Sequence, residues 1–181
     1  MIEILKKSTK SSVQTYTLNG KKLMGKVVSV YDGDTFTVNI YQPEQEALFQ
    51  YNTRCIGYDS PEMKPLKTVE NRDVLIESAY KARDLMAEWL TNVPFYSKNV
   101  DTFSKIPRNQ LDKQIEEQSE YILELECKGW DKYGRLLVSI PFNENMYWNE
   151  SWGERPKDIC EAMIKVGYGK PYDGGTKANW E

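Results

Sequence analysis

The chain has 181 residues, 40% of them hydrophobic, and a formal net charge of -3. That is enough sequence for one well-buried core, too little for two, and too apolar for a disordered protein. The acidic balance argues against a nucleic-acid binder that works by bulk positive charge alone, and the complete absence of histidine excludes Ser-His-Asp and Cys-His nucleophiles, histidine zinc sites and C2H2 fingers. Carboxylates, arginine, lysine, tyrosine or an oxygen-bound metal must carry any chemistry.

Residues 1–20 are polar, with Lys6, Lys7 and Lys10 beside a Ser/Thr cluster, and read as a flexible arm. A domain over 21–172 follows. A valine-rich strand is predicted over Leu23–Tyr31 and an alternating one over Thr35–Tyr41, with Asp32-Gly33-Asp34 between them as a hairpin signal, because Asp-Gly suits turns that need positive φ. A third strand runs from Ala47 to Tyr58, so an antiparallel meander is expected. Leu75, Ala79, Ala82, Met86, Trp89 and Leu90 then recur at helical spacing within Val69–Asn92, with charges on the opposite face and Asn92-Val93-Pro94 as the stop. This stripe is a helix packing on the sheet.

Residues 98–118 read as a surface insertion with a short helix near Asn109–Gln118. Two further strands are predicted over Glu120–Lys128 and Arg135–Pro141, then a loop carrying Trp148 and Trp152. A last helix runs from Pro156 to Val166, with Gly167 ending it. Residues 173–181 form a tail. The element order is that of an α+β, mainly β domain. It fits a five-stranded Greek-key OB-fold barrel with two or three helices.

Cys55, Cys127 and Cys160 are odd in number and form no C-x-x-C pair, which reads as reduced core thiols. The start lacks the apolar core of a signal peptide, and no run approaches the ~20 residues of a membrane span. An intracellular, monomeric protein with no membrane partner is expected. Charge is uneven: residues 1–26 hold six lysines against Glu3, whereas residues 112–126 hold six acids against Lys113. Solvated faces and binding surfaces explain these runs equally well.

Two polar clusters invite chemistry. A meander brings the turn after its first strand to the same end as the close of its third, which would set Asp34 beside Asp59. Two such carboxylates repel unless a cation separates them, and an all-oxygen site selects a hard ion. Arg54 and Asp59 are five apart, so an unbroken strand would point them to opposite faces; they share a pocket only if the strand ends or bulges near Gly57. Asp59-Ser60-Pro61-Glu62 also suits a helix N-terminus. Arg54, Arg135 and Glu62 beside a metal would make a logical phosphodiester site, because guanidinium forks and a cation both match the charge that builds on phosphorus oxygens.

Val30-Tyr-Asp-Gly-Asp-Thr35, Thr53-Arg-Cys-Ile-Gly-Tyr-Asp-Ser-Pro-Glu62 and Asp131-Lys-Tyr-Gly-Arg135, in that order, resemble the staphylococcal nuclease (thermonuclease) family. Cys160–Lys170 is similar to that family's second helix, so the likeness covers about residues 23–172. The resemblance implies an OB-fold endonuclease that hydrolyses DNA and RNA with little sequence specificity, dependent on Ca2+ with Mg2+ a poorer substitute, and leaving 3′-phosphate ends. It implies metal binding by Asp34, Asp59 and the Ser60 carbonyl, and transition-state contacts from Arg54 and Arg135. Glu62 would orient or deprotonate water, and Lys132, Tyr133 and Tyr172 would contact nucleic acid. Ser60 stands where the best-known members have threonine. The tail Tyr172-Asp-Gly-Gly-Thr-Lys177 resembles versions encoded by large DNA viruses. The alternative is a module that has kept the fold, lost its catalysis and binds nucleic acid or a protein.

Overall fold

A computed structural model describes residues 1–99, 105–175 and 180 of the chain. In chain order the elements are α1 (Ile2–Lys7), β1 (Lys22–Val30), β2 (Thr35–Gln42), β3 (Ala47–Cys55), β4 (Gly57–Asp59), α2 (Arg72–Thr91), α3 (Tyr96–Asn99), α4 (Arg108–Gln118), β5 (Leu123–Trp130), β6 (Leu136–Ser139), a 3-10 turn (Glu150–Trp152), α5 (Ile159–Lys165) and β7 (Lys170–Tyr172).

The first three strands pair antiparallel as a meander, and the barrel closes in the order β1-β2-β3-β6-β5. Closure comes from β5 pairing antiparallel with β1 and from β6 running parallel to β3. The result is the α+β, five-stranded barrel of OB type that the element order predicts. Alternation decides which side chains fill it: Phe36, Val38 and Ile40 from β2, Leu123, Leu125 and Cys127 from β5, and Leu136 and Val138 from β6 are all buried. Register shifts between Val27 and Ser29 and between Cys127 and Gly129 bend the strands that a small barrel must curl.

Among the described residues five α-helices appear, against the two or three expected. The arm supplies α1, which buries none of its residues, yet Leu18 at the arm's end is fully buried in the core. Burying a leucine contributes ~1.5–3 kcal/mol, so the arm is fastened where it meets the barrel. Helix α3 begins just before the stretch read as a surface insertion, and that stretch supplies α4, the short helix expected near Asn109–Gln118. Residues 100–104 of the stretch lie outside the described ones, but Leu111 and Ile115 of α4 are fully buried and join the core.

Helix α2 is the main one. Ala82, Met86, Trp89 and Leu90 pack into the core as the periodicity predicts, Leu85 joins them unpredicted, and Leu75 stays half-buried outside the core; Asn92 ends the helix in the left-handed conformation at φ 56°. Its charges do not all face solvent, however. Arg83, Asp84 and Glu88 are buried too, and Glu88 Oε2 accepts the Ser97 N–H of α3 at 2.9 Å. Trp89 donates its indole N–H to the Tyr147 carbonyl at 2.6 Å and packs edge-on to Phe142, so the loop after β6 covers α2 as well.

Helix α5 starts three residues later than Pro156 suggests, because Asp158 caps it by accepting the Glu161 N–H at 2.8 Å. No helix forms at Asp59-Ser60-Pro61-Glu62; the next one begins at Arg72. Among the described residues no helix is long and apolar enough to cross a membrane.

Candidate active site

The loop joining β1 to β2 is held by its own first acid. Asp32 Oδ1 accepts the N–H groups of Asp34 (3.0 Å) and Thr35 (2.7 Å), while the Tyr31 N–H donates to the Thr35 carbonyl at 2.9 Å. Gly33 is needed here, though for a different reason from the expected turn conformation. It is absent from the glycines with positive φ. A Cβ at Gly33 would instead lie 2.8 Å from Ser60 Cβ and 3.0 Å from both Ala82 Cβ and Met163 Cε. The glycine lets the loop press against the segment after β4, and its carbonyl accepts the hydroxyl of buried Tyr58 at 2.7 Å.

The strand that carries Arg54 breaks where the spacing requires. β3 ends at Cys55, Gly57 adopts φ +89°, and the chain leaves the barrel to form a two-stranded ribbon with β7, setting Asp59 opposite Lys170. A side chain at Gly57 would also strike Cys160 Sγ at 2.7 Å. The break turns Asp59 back toward Arg54. Arg54 Nη1 donates to Asp34 Oδ1 and Nη2 donates to Asp59 Oδ1, each at 2.8 Å. The Ser60 N–H donates to the other oxygen of Asp34 at 3.0 Å. Burial disfavours the Arg54 cation, but Asp34, Asp59 and Asp32 outweigh it and raise its pKa. Asp32 moves the opposite way from an ordinary carboxylate: burial first, then the charge of Asp34, pushes its pKa up to about 7.

Arg135 enters from the turn before β6. Asp131 Oδ2 accepts its Nε–H at 2.7 Å, and Asp131 Oδ1 accepts the N–H groups of Arg135 (2.9 Å) and Tyr133 (2.8 Å). Arg135 Nη1 reaches Thr35 Oγ1 at 3.3 Å, and that hydroxyl donates to Asp34 Oδ1 at 2.8 Å. The two arginines are thus joined through Thr35 and Asp34.

A cavity of about 670 Å³ opens over this network. Arg54, Glu62, Lys132, Tyr133, Arg135 and Tyr172, six of the nine residues singled out from the sequence, line it. The other three, Asp34, Asp59 and Ser60, are buried, and Arg54 links both acids to the cavity. Tyr133 is 73% exposed and has Arg135 against its ring at 5.5 Å, whereas Tyr172 lies 5.7 Å from the Arg54 guanidinium.

Sequence reasoning missed Asp131, Thr35, Asp32 and Tyr31 as parts of the site. Asp131 carried a signal, since an Asp four residues before Arg135 across a glycine turn suits a side chain that accepts the turn's own N–H groups. Thr35 carried none.

The carboxylate oxygens of Asp34 and Asp59 are donors that suit a hard cation. Among the described residues no group of three or more acidic or cysteine side chains gathers tightly enough to hold a metal alone. A cation here would therefore take backbone, water or substrate oxygens beside Asp34 and Asp59. Scanned against protein-family models the chain matches none, and no curated protein matches it.

Proposed function

We propose that the chain is a divalent-cation-dependent phosphodiesterase that cuts DNA and RNA, a nuclease of the staphylococcal type. The observation that carries this reading is the convergence of Arg54, Arg135 and Glu62 on one cavity backed by the buried acids Asp34 and Asp59. Guanidinium groups from two separate elements can grip different oxygens of a single phosphate.

Asp34 and Asp59 would hold the cation, Ca2+ in preference to Mg2+, with the Ser60 carbonyl as a third oxygen. When bound, the cation offsets negative charge on the phosphate oxygens and acidifies water. Arg54 would then exchange its two carboxylates for phosphate oxygens, and Arg135, already oriented by Asp131 and Thr35, would meet the same group. Glu62 is exposed on the cavity wall, where it can accept a proton from the attacking water. The water oxygen bonds to phosphorus, the P–O5′ bond breaks, and the 5′-oxygen leaves with a proton, so a 3′-phosphate remains. Lys132, Tyr133 and Tyr172 would hold the nucleotide's phosphates and bases.

One observation favours the second reading, a binding module without catalysis. Arg54 already pairs with both carboxylates, so each acid has a cationic partner without any metal. Digestion of single- and double-stranded DNA and RNA across a metal series separates the two. Cleavage that stops with EDTA, returns with Ca2+ and falls in Glu62→Gln supports the nuclease. Tight nucleic-acid binding with no cleavage under any metal supports the module.

A further inference from the structure

The cavity has a wall that the nuclease reading leaves unused. Tyr31, next to the Asp32 loop, lines it and is 42% exposed. The guanidinium of Arg108, the first residue of α4, lies 5.3 Å from the Tyr31 ring centroid. Arg108 Nη2 and Nε donate to Ser29 Oγ at 2.9 and 3.3 Å, and Nε sits 3.5 Å from Asp112 one turn further along α4. The group is therefore fixed by three partners while its side chain stays 50% exposed. Its Nη1 makes no hydrogen bond among the described residues.

We propose that Tyr31 and Arg108 form a second nucleotide subsite, carrying a single nucleic-acid strand past the cleft toward α4. The inference rests on the nuclease reading and extends it to residues that reading does not employ. Every base has a π face, so a tyrosine ring with a guanidinium fixed over it is a sequence-tolerant stacking platform. The exposed edge of that guanidinium offers N–H donors to the adjoining phosphate. An arginine that served only to staple α4 onto β1 would need Ser29 and Asp112, but not the aromatic ring of a cavity-lining residue. The track ends there, because Glu116 and Glu117, exposed two turns on, repel a phosphate chain.

Fluorescently labelled dT2 and dT8, bound in EDTA so that nothing is cut, test the subsite by length. Arg108→Gln is expected to weaken dT8 by about tenfold and to leave dT2 unchanged, with the salt slope shallower by ~0.7 for one lost phosphate contact. Tyr31→Leu should weaken dT8 by a similar factor, whereas Tyr31→Phe, which keeps the ring, should not. Thermal melts of each variant show that the fold survives. Unchanged dT8 affinity in Arg108→Gln and Tyr31→Leu overturns the subsite, as does equal weakening of both lengths by Arg108→Gln. Arg135→Ala separates this failure from that of the parent reading. If it weakens both oligonucleotides while Arg108→Gln weakens neither, the cleft stands and the subsite falls; if the wild type binds neither length, both fall.

Discussion

The protein buries two arginines against carboxylates, and only one of them belongs to the candidate site. Arg83 of α2 is 1% exposed, bonds through Nε and Nη2 to Oδ1 of its own neighbour Asp84, and lies 4.6 Å from the Tyr80 ring. Arg54 draws on acids 20 and 5 residues away, from a loop and a separate ribbon, and opens onto a cavity. Arg83 and Asp84 line no part of that cavity. Burial of an ion pair therefore says little about function. What marks Arg54 is that its partners arrive from distant elements and that a ligand could replace them.

The sharpest test of this contrast is a pair of alanine substitutions. Arg54→Ala should lower cleavage by about 10²–10³-fold, the cost of a preorganised donor, and added Ca2+ should raise the variant's melting temperature by shielding Asp34 from Asp59. Arg83→Ala should cost ~3–5 kcal/mol of stability by stranding Asp84, with turnover of the folded fraction unchanged and no selective rescue by Ca2+. Equal losses of turnover in both would erase the distinction. Next in size, Glu62→Gln should reduce turnover by about 10²-fold with little change in melting, since its side chain is exposed.

Gly33→Ala forces a methyl to within 2.8 Å of Ser60 Cβ. Denaturant titration should find ~1–3 kcal/mol lost to overpacking, together with weaker cation binding because Ser60 moves. A separate effect, read across pH and not from a single substitution, is on the stability of metal-free protein. Asp32 has a folded pKa of about 7, far above its unfolded value near 3.8. The folded state holds its proton more tightly, so this group's contribution to stability is full below pH 4 and is lost as pH rises to 7. Melting curves between pH 5 and 8 should slope downward, and Asp32→Asn, which keeps the oxygen that accepts the Asp34 and Thr35 N–H groups, should flatten them.

The convergence of Asp34, Arg54 and Asp59 was legible in the sequence for a definite reason. A meander fixes which strand ends coincide, and a glycine at 57 marks where alternation must fail. The burial of Arg83, Asp84 and Glu88 was not. A helix's periodicity reports the face turned to the barrel, and says nothing of distant partners such as the Ser97 N–H of α3 that meets Glu88. Gly33 was legible as a glycine requirement but attached to the wrong cause, because a turn can be read from local residues and a close approach to Ser60, Ala82 and Met163 cannot. The short helix near Asn109–Gln118 was legible and its burial was not: α4 has few apolar residues, and Leu111 and Ile115 gain their place only because β1 lies beneath them.

The ribbon of β4 and β7 ties Asp59 to a residue more than a hundred positions later in the chain. During synthesis the meander can assemble, and Arg54 can settle against Asp34, long before Lys170 leaves the ribosome. Until then the stretch after Gly57 lacks its ladder partner and is held by Tyr58 on Gly33, Ser60 on Asp34 and Asp59 on Arg54. The surroundings of Asp59 are therefore completed by one of the last segments to be translated.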